Sequence, residues 1–213
     1  MNDPRLYCIL DLGYVPEENA ETVTASLLAG GAHLLQLRAK GKDLATIERV
    51  ARRLLPLCRA AGVPFILNDF PALAAALDAD GVHIGQDDGP LAAAREIVGF
   101  GKIIGRSTHS LDQARAALAE GFDYIGFGPI FPTPTKAGRP AIGLHEIAAM
   151  EREVGEKILA FCIGGICPET LPTVLAAGAR RVVVVSALLQ APDIQAATRT
   201  IRAELDSALL ESS

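Results

Sequence analysis

The sequence predicts an α/β chain folded as a single (β/α)8 TIM barrel over residues 1–213. Three observations predict it. Short aliphatic runs alternate with helix-like segments eight times along the chain. Those runs are continuously apolar rather than alternating, as expected of parallel strands buried on both faces. The connections are short, and no linker or low-complexity stretch divides the chain. An open doubly wound sheet is the competing arrangement. It is disfavoured because no dinucleotide-type glycine fingerprint follows the first apolar run.

In chain order, Leu6–Leu10 reads as the first strand and ends at Asp11. Glu17–Leu28 reads as an amphipathic helix stopped by Gly30-Gly31. Leu34–Arg38 is a strand that turns polar at its far end. Asp43 caps a long helix that runs through Ala61 and is closed by Gly62. Phe65–Leu67 is a strand ending in Asn68-Asp69, and Pro71 opens a short alanine-rich helix. Gly81–Gly85 is the fourth strand, followed by Gln86-Asp87-Asp88, and Pro90 begins a helix near Ala92–Val98. Lys102–Gly105 is a strand ending in Arg106-Ser107, and Ser110 or Asp112 starts a helix to Glu120. Tyr124–Phe127 is the sixth strand, and a helix is expected around Leu144–Glu153. Ile158–Ile163 leads to Gly164-Gly165, then Pro168 starts a helix ending near Ala177-Gly178. Arg181–Val185 ends at Ser186, and a last helix runs from about Pro192 to Leu210.

Composition narrows the function. Half the residues are hydrophobic but only 5% are aromatic, so the core is built mainly from aliphatic side chains. A net charge of −5 excludes a general nucleic-acid binder, which needs a basic excess to neutralise phosphates. No apolar run reaches the roughly 20 residues of a membrane span, and no signal peptide precedes Tyr7. A soluble cytoplasmic protein is the expectation, with homo-oligomerisation left open. Cys8, Cys58, Cys162 and Cys167 lack the paired spacing of zinc sites and suit free thiols in a reducing compartment.

In a barrel, chemistry collects at the carboxyl ends of the strands. The residues there are Gln36, Arg38 and Lys40; Asn68 and Asp69; Asp87 and Asp88; Ser107; Gly164 and Gly165; and Ser186. After the sixth strand, Gly126–Lys136 forms a proline-stiffened loop that presents Thr133, Thr135 and Lys136. Two hydroxyls and an ammonium on a rigid loop suit an anion such as phosphate. Asp69 and Asp88 follow adjacent strands, so their carboxylates can converge on Mg²⁺, whose shell substrate phosphate and water would complete. They equally suit helix N-termini, where a carboxylate complements the macrodipole. Asp87 is the weaker ligand candidate. The loops after strands seven and eight, with Gly164-Gly165 and Val185-Ser186, suit a second, monophosphate site. His83 reads as a packed strand residue, His33 and His145 as surface groups, and His109 as a neighbour of Ser107. No nucleophile–base constellation is readable, which argues against covalent catalysis.

Taken together, these motifs resemble the thiamine phosphate synthase family. The matching segments are Gln36-Leu37-Arg38-Ala39-Lys40, Asn68-Asp69, Gly81–Asp88, Ile104-Gly105 with Ser107-Thr108-His109, Asp123–Lys136, Ile163–Ile166 and Val185-Ser186-Ala187. They span nearly the whole chain, in order. The resemblance implies a transferase that joins hydroxymethylpyrimidine diphosphate to hydroxyethylthiazole phosphate by dissociative loss of diphosphate. By motif, Gln36 to Lys40 (with Leu37 and Ala39 inside that run), Asn68, Ser107 and Lys136 would hold the pyrimidine diphosphate. Arg38, Ser107 and Lys136 would stabilise the charge that develops in the reaction. Asp69 and Asp88 would hold Mg²⁺. Thr133, Pro134, Thr135, Gly165, Val185 and Ser186 would hold the thiazole phosphate. Two positions depart from the family pattern: Phe70-Pro71-Ala72 follows Asn68-Asp69, and Arg106 replaces a small apolar residue before Ser107. The rival implied by resemblance is a thiazole tautomerase, which places a His where Pro129 stands. The rival of another class is a non-catalytic thiamine-phosphate sensor, which has no need of the metal carboxylates.

Overall fold

The computed structural model describes residues 3–133 and 140–210. Eight parallel strands among them close into a barrel, β1 (Leu6–Asp11) through β8 (Val182–Val184). The strands between are β2 (Leu34–Arg38), β3 (Phe65–Asn68), β4 (Gly81–Ile84), β5 (Ile103–Thr108), β6 (Tyr124–Phe127) and β7 (Leu159–Ile163). Closure is direct, since Leu6, Tyr7 and Cys8 pair with Val182, Val183 and Val184.

Strand alternation divides the core into two layers. Leu6, Cys8 and Leu10 of β1 face the helices, whereas Tyr7 and Ile9 face the barrel axis. The axial layer is filled by Tyr7, Tyr124 and Phe161 with Ile9, Ile66 and Val183 around them. The three rings meet edge to face, with centroids 5.3–6.0 Å apart. Such pairs contribute about 0.5–1.5 kcal/mol each beyond their buried area. Gly105 makes the arrangement sterically feasible: a Cβ there would lie 1.9 Å from the Tyr124 ring.

Helices cover the outer layer. The longest early one, α2 (Leu44–Ala61), buries Ile47, Val50, Ala51, Leu54, Leu55 and Cys58, the spacing of one helical face. Asp43 caps it by accepting from Thr46 N at 2.8 Å, and Gly62 ends it at φ 66°. The other expected helices are α1 (Ala20–Ala29, after a 3-10 turn at Glu17–Asn19), α3 (Pro71–Ala76), α4 (Leu91–Val98) and α5 (Leu111–Glu120). Ser110, not Asp112, caps α5, its hydroxyl accepting from Gln113 N.

Several helices differ from the expectation. The helix expected around Leu144–Glu153 is a short α6 (Ile147–Met150) that widens into a π-turn at Glu151–Gly155. The seventh, α7 (Leu171–Ala176), begins three residues after Pro168, because Thr170 Oγ1 captures Cys167 N at 3.0 Å and holds a turn first. A one-turn helix, α8 (Ser186–Leu189), was not foreseen and precedes α9 (Ile194–Leu210). Among the described residues, no helix is long and apolar enough to cross a membrane.

Candidate functional site

The carboxyl ends of the strands surround an open cavity, with about 810 Å³ of empty space when the solvent at its mouth is included. Gln36 and Arg38 of β2, Asn68 of β3, Ser107 of β5 and Thr133 after β6 all line it. Gly165, Val185 and Ser186 line it from the β7 and β8 side. Residues scattered from 36 to 186 therefore line one hollow.

The remaining expected residues fall elsewhere. Leu37 and Ala39 are buried in the outer, helix-facing layer, because strand alternation turns them away from Gln36 and Arg38. Any contact they make to a cavity ligand is through backbone. Lys40, Asp69 and Asp88 stand at strand ends and are not part of the cavity wall. Pro134, Thr135 and Lys136 lie outside the described residues.

Each wall residue is held by an identifiable neighbour. Arg38 is paired with Asp11, its partner in the β1–β2 register, and the Asp11 side chain is only 3% exposed. Asp11 Oδ1 also accepts from Gly13 N at 2.8 Å, which fixes the carboxylate before the guanidinium reaches it. His83 Nε2 lies 2.9 Å from Ser107 Oγ, and His83 Nδ1 lies 2.9 Å from the Tyr124 hydroxyl. The Tyr124 and Tyr7 hydroxyls are 2.9 Å apart, and Gln36 Nε2 donates to Tyr7 at 2.6 Å. Burial holds both phenols well above their ordinary pKa, so each keeps its hydrogen at neutral pH. His83, expected to be a packed core residue, is indeed buried but also lines the cavity. Asp11, Tyr7 and Tyr124 carried no sequence signal of a site role.

The loop after β6 is set by β7. Ile130 N donates to Ile163 O at 2.8 Å and Phe131 N to Gly164 O at 3.0 Å. The Gly128–Pro129 peptide is cis. Gly164 and Gly165 take φ of 102° and 67°, and a Cβ on either would lie 2.5–2.6 Å from Pro129 or Phe131. Both glycines are therefore required for this loop to approach. His109 contacts the Gly128 carbonyl and is not in the cavity wall. His33, expected at a surface, is half-buried and its Nδ1 accepts from Arg5 N and Leu6 N.

Asp69 and Asp88 follow β3 and β4, which are neighbours in the sheet. Asp69 holds a left-handed φ of 69°, uncommon outside glycine, and its N–H donates to His83 O at 2.9 Å. Its carboxylate is 3.2 Å from Lys40 Nζ. Asp88 Oδ2 accepts from Gly85 N at 2.6 Å. Arg106 binds that same loop from the other side of β5. Its guanidinium donates to Gly89 O at 2.7 Å and Gln86 O at 3.2 Å, over the Phe122 ring. Among the described residues there is no group of three or more His, Cys, Asp or Glu that could cage a metal. Asp69 and Asp88 each offer hard oxygen donors, the kind that suits Mg²⁺ and not the nitrogen and sulfur of an all-protein zinc site.

A family model described as thiamine monophosphate synthase matches residues 6–188 of this chain. A thiamine-phosphate synthase of Thermus thermophilus is 49% identical over 182 residues, covering 85% of this chain and 87% of that protein. One of Roseiflexus is 43% identical over 208 residues, covering 97% and 87%. Among solved structures, a thiamine phosphate pyrophosphorylase from Pyrococcus furiosus superposes with a TM-score of 0.87 at 33% identity, covering 98% of both chains.

Proposed function

This chain belongs to the thiamine monophosphate synthase family and is a transferase, and we propose that its barrel mouth couples hydroxymethylpyrimidine diphosphate to hydroxyethylthiazole phosphate in a Mg²⁺-dependent reaction. The products are thiamine phosphate and diphosphate. The observation that supports this reading is the convergence of Gln36, Arg38, Asn68 and Ser107 on one cavity with Thr133, Gly165 and Ser186 on its other side. One group suits a diphosphate and its organic appendage; the other suits a monophosphate.

In this reading the bond from the pyrimidine methylene to diphosphate breaks first, and the thiazole nitrogen captures the resulting cation. Such chemistry needs no protein nucleophile. It needs charge stabilisation, aligned substrates and a shielded cavity. Arg38, steadied by Asp11, faces the leaving group with a fork of N–H donors. Ser107 adds a hydroxyl, and Lys136 is assigned to the same charge by its motif. Asp69 and Asp88 would hold Mg²⁺, which when bound neutralises charge on the departing diphosphate. Thr133, Pro134, Thr135, Gly165, Val185 and Ser186 are assigned to the thiazole phosphate. The apolar wall of Ile9, Ile163, Ile166 and Val183 excludes water from the cation. Pro129 stands in the cavity wall and has no proton to transfer, which speaks against a tautomerase.

The four cysteines are unpaired thiols, three of them buried, which suits a reducing cytoplasm. The deciding experiment is diphosphate release from the pyrimidine substrate. Release that requires both the thiazole phosphate and Mg²⁺ is expected. Tight binding of thiamine phosphate without turnover would replace this reading with a sensor.

A further inference from the structure

The inward positions of a barrel are filled by side chains that stack in layers. Within the strands, Gly81, Gly105 and Gly126 leave such positions bare, each in alternation with outward-facing neighbours. Two of the three are explained by what lies beside them. A Cβ on Gly81 would lie 2.2 Å from the Ile103 carbonyl oxygen, so the β5 backbone takes that space. The Tyr124 ring takes the space beside Gly105, 1.9 Å from an added Cβ. Gly126 has no such neighbour. A Cβ there would lie 3.6 Å from His83 Cε1 and 4.0 Å from Ile163 Cγ2, which are ordinary van der Waals contacts. Its φ is not positive, so the backbone does not ask for glycine either. Among the described glycines it alone has neither a positive φ nor a Cβ contact tighter than 3.4 Å.

Glycine inside a strand weakens it, and where no bulge or nearby backbone explains it, it marks a place that a ligand approaches closely. Gly126 lines the cavity. It pairs with Ser107 of β5 on one side and with Phe161 of β7 on the other. Its carbonyl also accepts from Thr108 Oγ1 at 3.1 Å. The polar groups of this peptide therefore point along the sheet, and a bare Cα faces the cavity. That flat apolar surface suits the face of a ring and offers nothing to a phosphate oxygen. His83 and Ile163, which also line the cavity, bound it on two sides.

We propose that Gly126 is a specificity residue: its missing side chain makes the slot in which the face of the substrate's pyrimidine ring lies, between His83 and Ile163. This rests on the function proposed above and adds to it the contact that selects the ring. The neighbours favour the pyrimidine over the thiazole. Gly126 stands opposite Ser107, which belongs to the pyrimidine diphosphate group, whereas Gly165, Val185 and Ser186 of the thiazole phosphate group come from the ends of β7 and β8. A methyl group at position 126 would project about 1.5 Å from the Cα into the slot. The ring would have to retreat by a comparable distance. A misplacement of about 1 Å costs about 100-fold in rate where a reacting bond must be aligned.

The test compares Gly126→Ala with the parent, both as the full chain. The melting temperature should equal or exceed the parent's, because the new Cβ meets only ordinary contacts and alanine restricts the unfolded chain. In Mg²⁺-dependent diphosphate release, kcat/KM for the pyrimidine diphosphate should fall by about 100-fold. Calorimetry with Mg²⁺ should show weaker binding of the pyrimidine diphosphate, with inorganic diphosphate and hydroxyethylthiazole phosphate bound as in the parent. Equal weakening of inorganic diphosphate would mean a general distortion of the mouth, and weakening of the thiazole phosphate alone would put the other ring in the slot; either overturns the proposal. So does a melting temperature well below the parent's, which would show that the fold itself requires glycine here. A parent that releases diphosphate beside a variant that matches it removes the slot and leaves the function standing. A parent that releases none removes the function, and the slot with it.

Discussion

At the mouth of the barrel, buried polar side chains are linked partner to partner from Gln36 to Ser107. At the floor, Arg5, Arg181 and Glu151 each keep one buried atom without a partner among the described residues. The floor groups tie chain segments together. Asp3 holds Arg181 at 2.6 Å, and Arg5 reaches the Leu205 carbonyl of α9. A tether tolerates an imperfectly satisfied atom at a modest cost in stability. The linked side chains of the mouth border the cavity itself, where an unmade bond would let a wall residue turn. Mouth substitutions should therefore appear in turnover and floor substitutions in stability.

Arg38→Ala is the strongest test, because Arg38 belongs to both descriptions. It faces the cavity, yet it also neutralises the buried Asp11. Removing one partner of a buried pair costs about 3–5 kcal/mol. We expect urea unfolding to show a loss of that order together with loss of diphosphate release. Full stability in the variant would mean Asp11 does not depend on Arg38. Asp88→Asn is next and should separate the two effects. The amide oxygen can still accept from Gly85 N, so the loop contact survives while the charge is lost. Turnover should fall by about 100-fold or more, with the melting temperature unchanged. A melting shift without a rate loss would make Asp88 a loop cap and nothing more.

The fold was legible because parallel strands advertise themselves as short aliphatic runs and helices by their caps. Asp43, Gly62, Pro71 and Ser110 mark helix ends as their chemistry dictates. A one-turn helix has no period to detect, so Ser186–Leu189 was hidden in an apolar continuation of β8. The π-turn at Glu151–Gly155 was hidden because its sequence continues a helical pattern. Gly155 makes that turn sterically tolerable: a Cβ there would lie 2.2 Å from the Glu151 carboxylate. In the site, strand-end residues were readable one at a time. The line through His83 was not, since Tyr7 and Tyr124 lie 117 positions apart. Register supplies the missing signal. Asp11 opposite Arg38, and Asn68 opposite His83, follow once the strands are aligned.

A smaller effect should come from Arg106, one of the two departures from the family pattern. It grips Gln86 and Gly89 on either side of Asp88 without reaching the cavity. Arg106→Leu should raise the Mg²⁺ concentration for half-maximal rate by about 10-fold, the usual cost of losing support behind a ligand. The rate at saturating Mg²⁺ should stay near that of the parent. A fall in that saturating rate, with Mg²⁺ affinity intact, would move Arg106 from loop support to substrate alignment.

The smallest effect belongs to the floor and concerns pH. Burial raises the pKa of Glu151, with the Arg180 N–H and the nearby arginines opposing it. The folded state then binds this proton more tightly than the unfolded chain does. Stability from this group is present below the unfolded pKa of about 4.3 and is lost as pH rises toward the folded value. Partly or fully exposed carboxylates such as Glu17, Asp78 and Glu153 shift downward beside their Arg and Lys partners and pull stability the other way. Only the difference between two proteins isolates Glu151. Glu151→Gln keeps the oxygen that accepts from Arg180 N at 3.1 Å and removes the titration. The variant should gain stability relative to the parent as pH rises from 4 toward neutrality, by roughly 1.4 kcal/mol for each unit by which the folded pKa exceeds the unfolded one. Diphosphate release at neutral pH should not change. A stability difference that stays flat with pH would show that the carboxyl is already charged in the folded floor, and the contrast between the two ends of the barrel would lose its electrostatic basis.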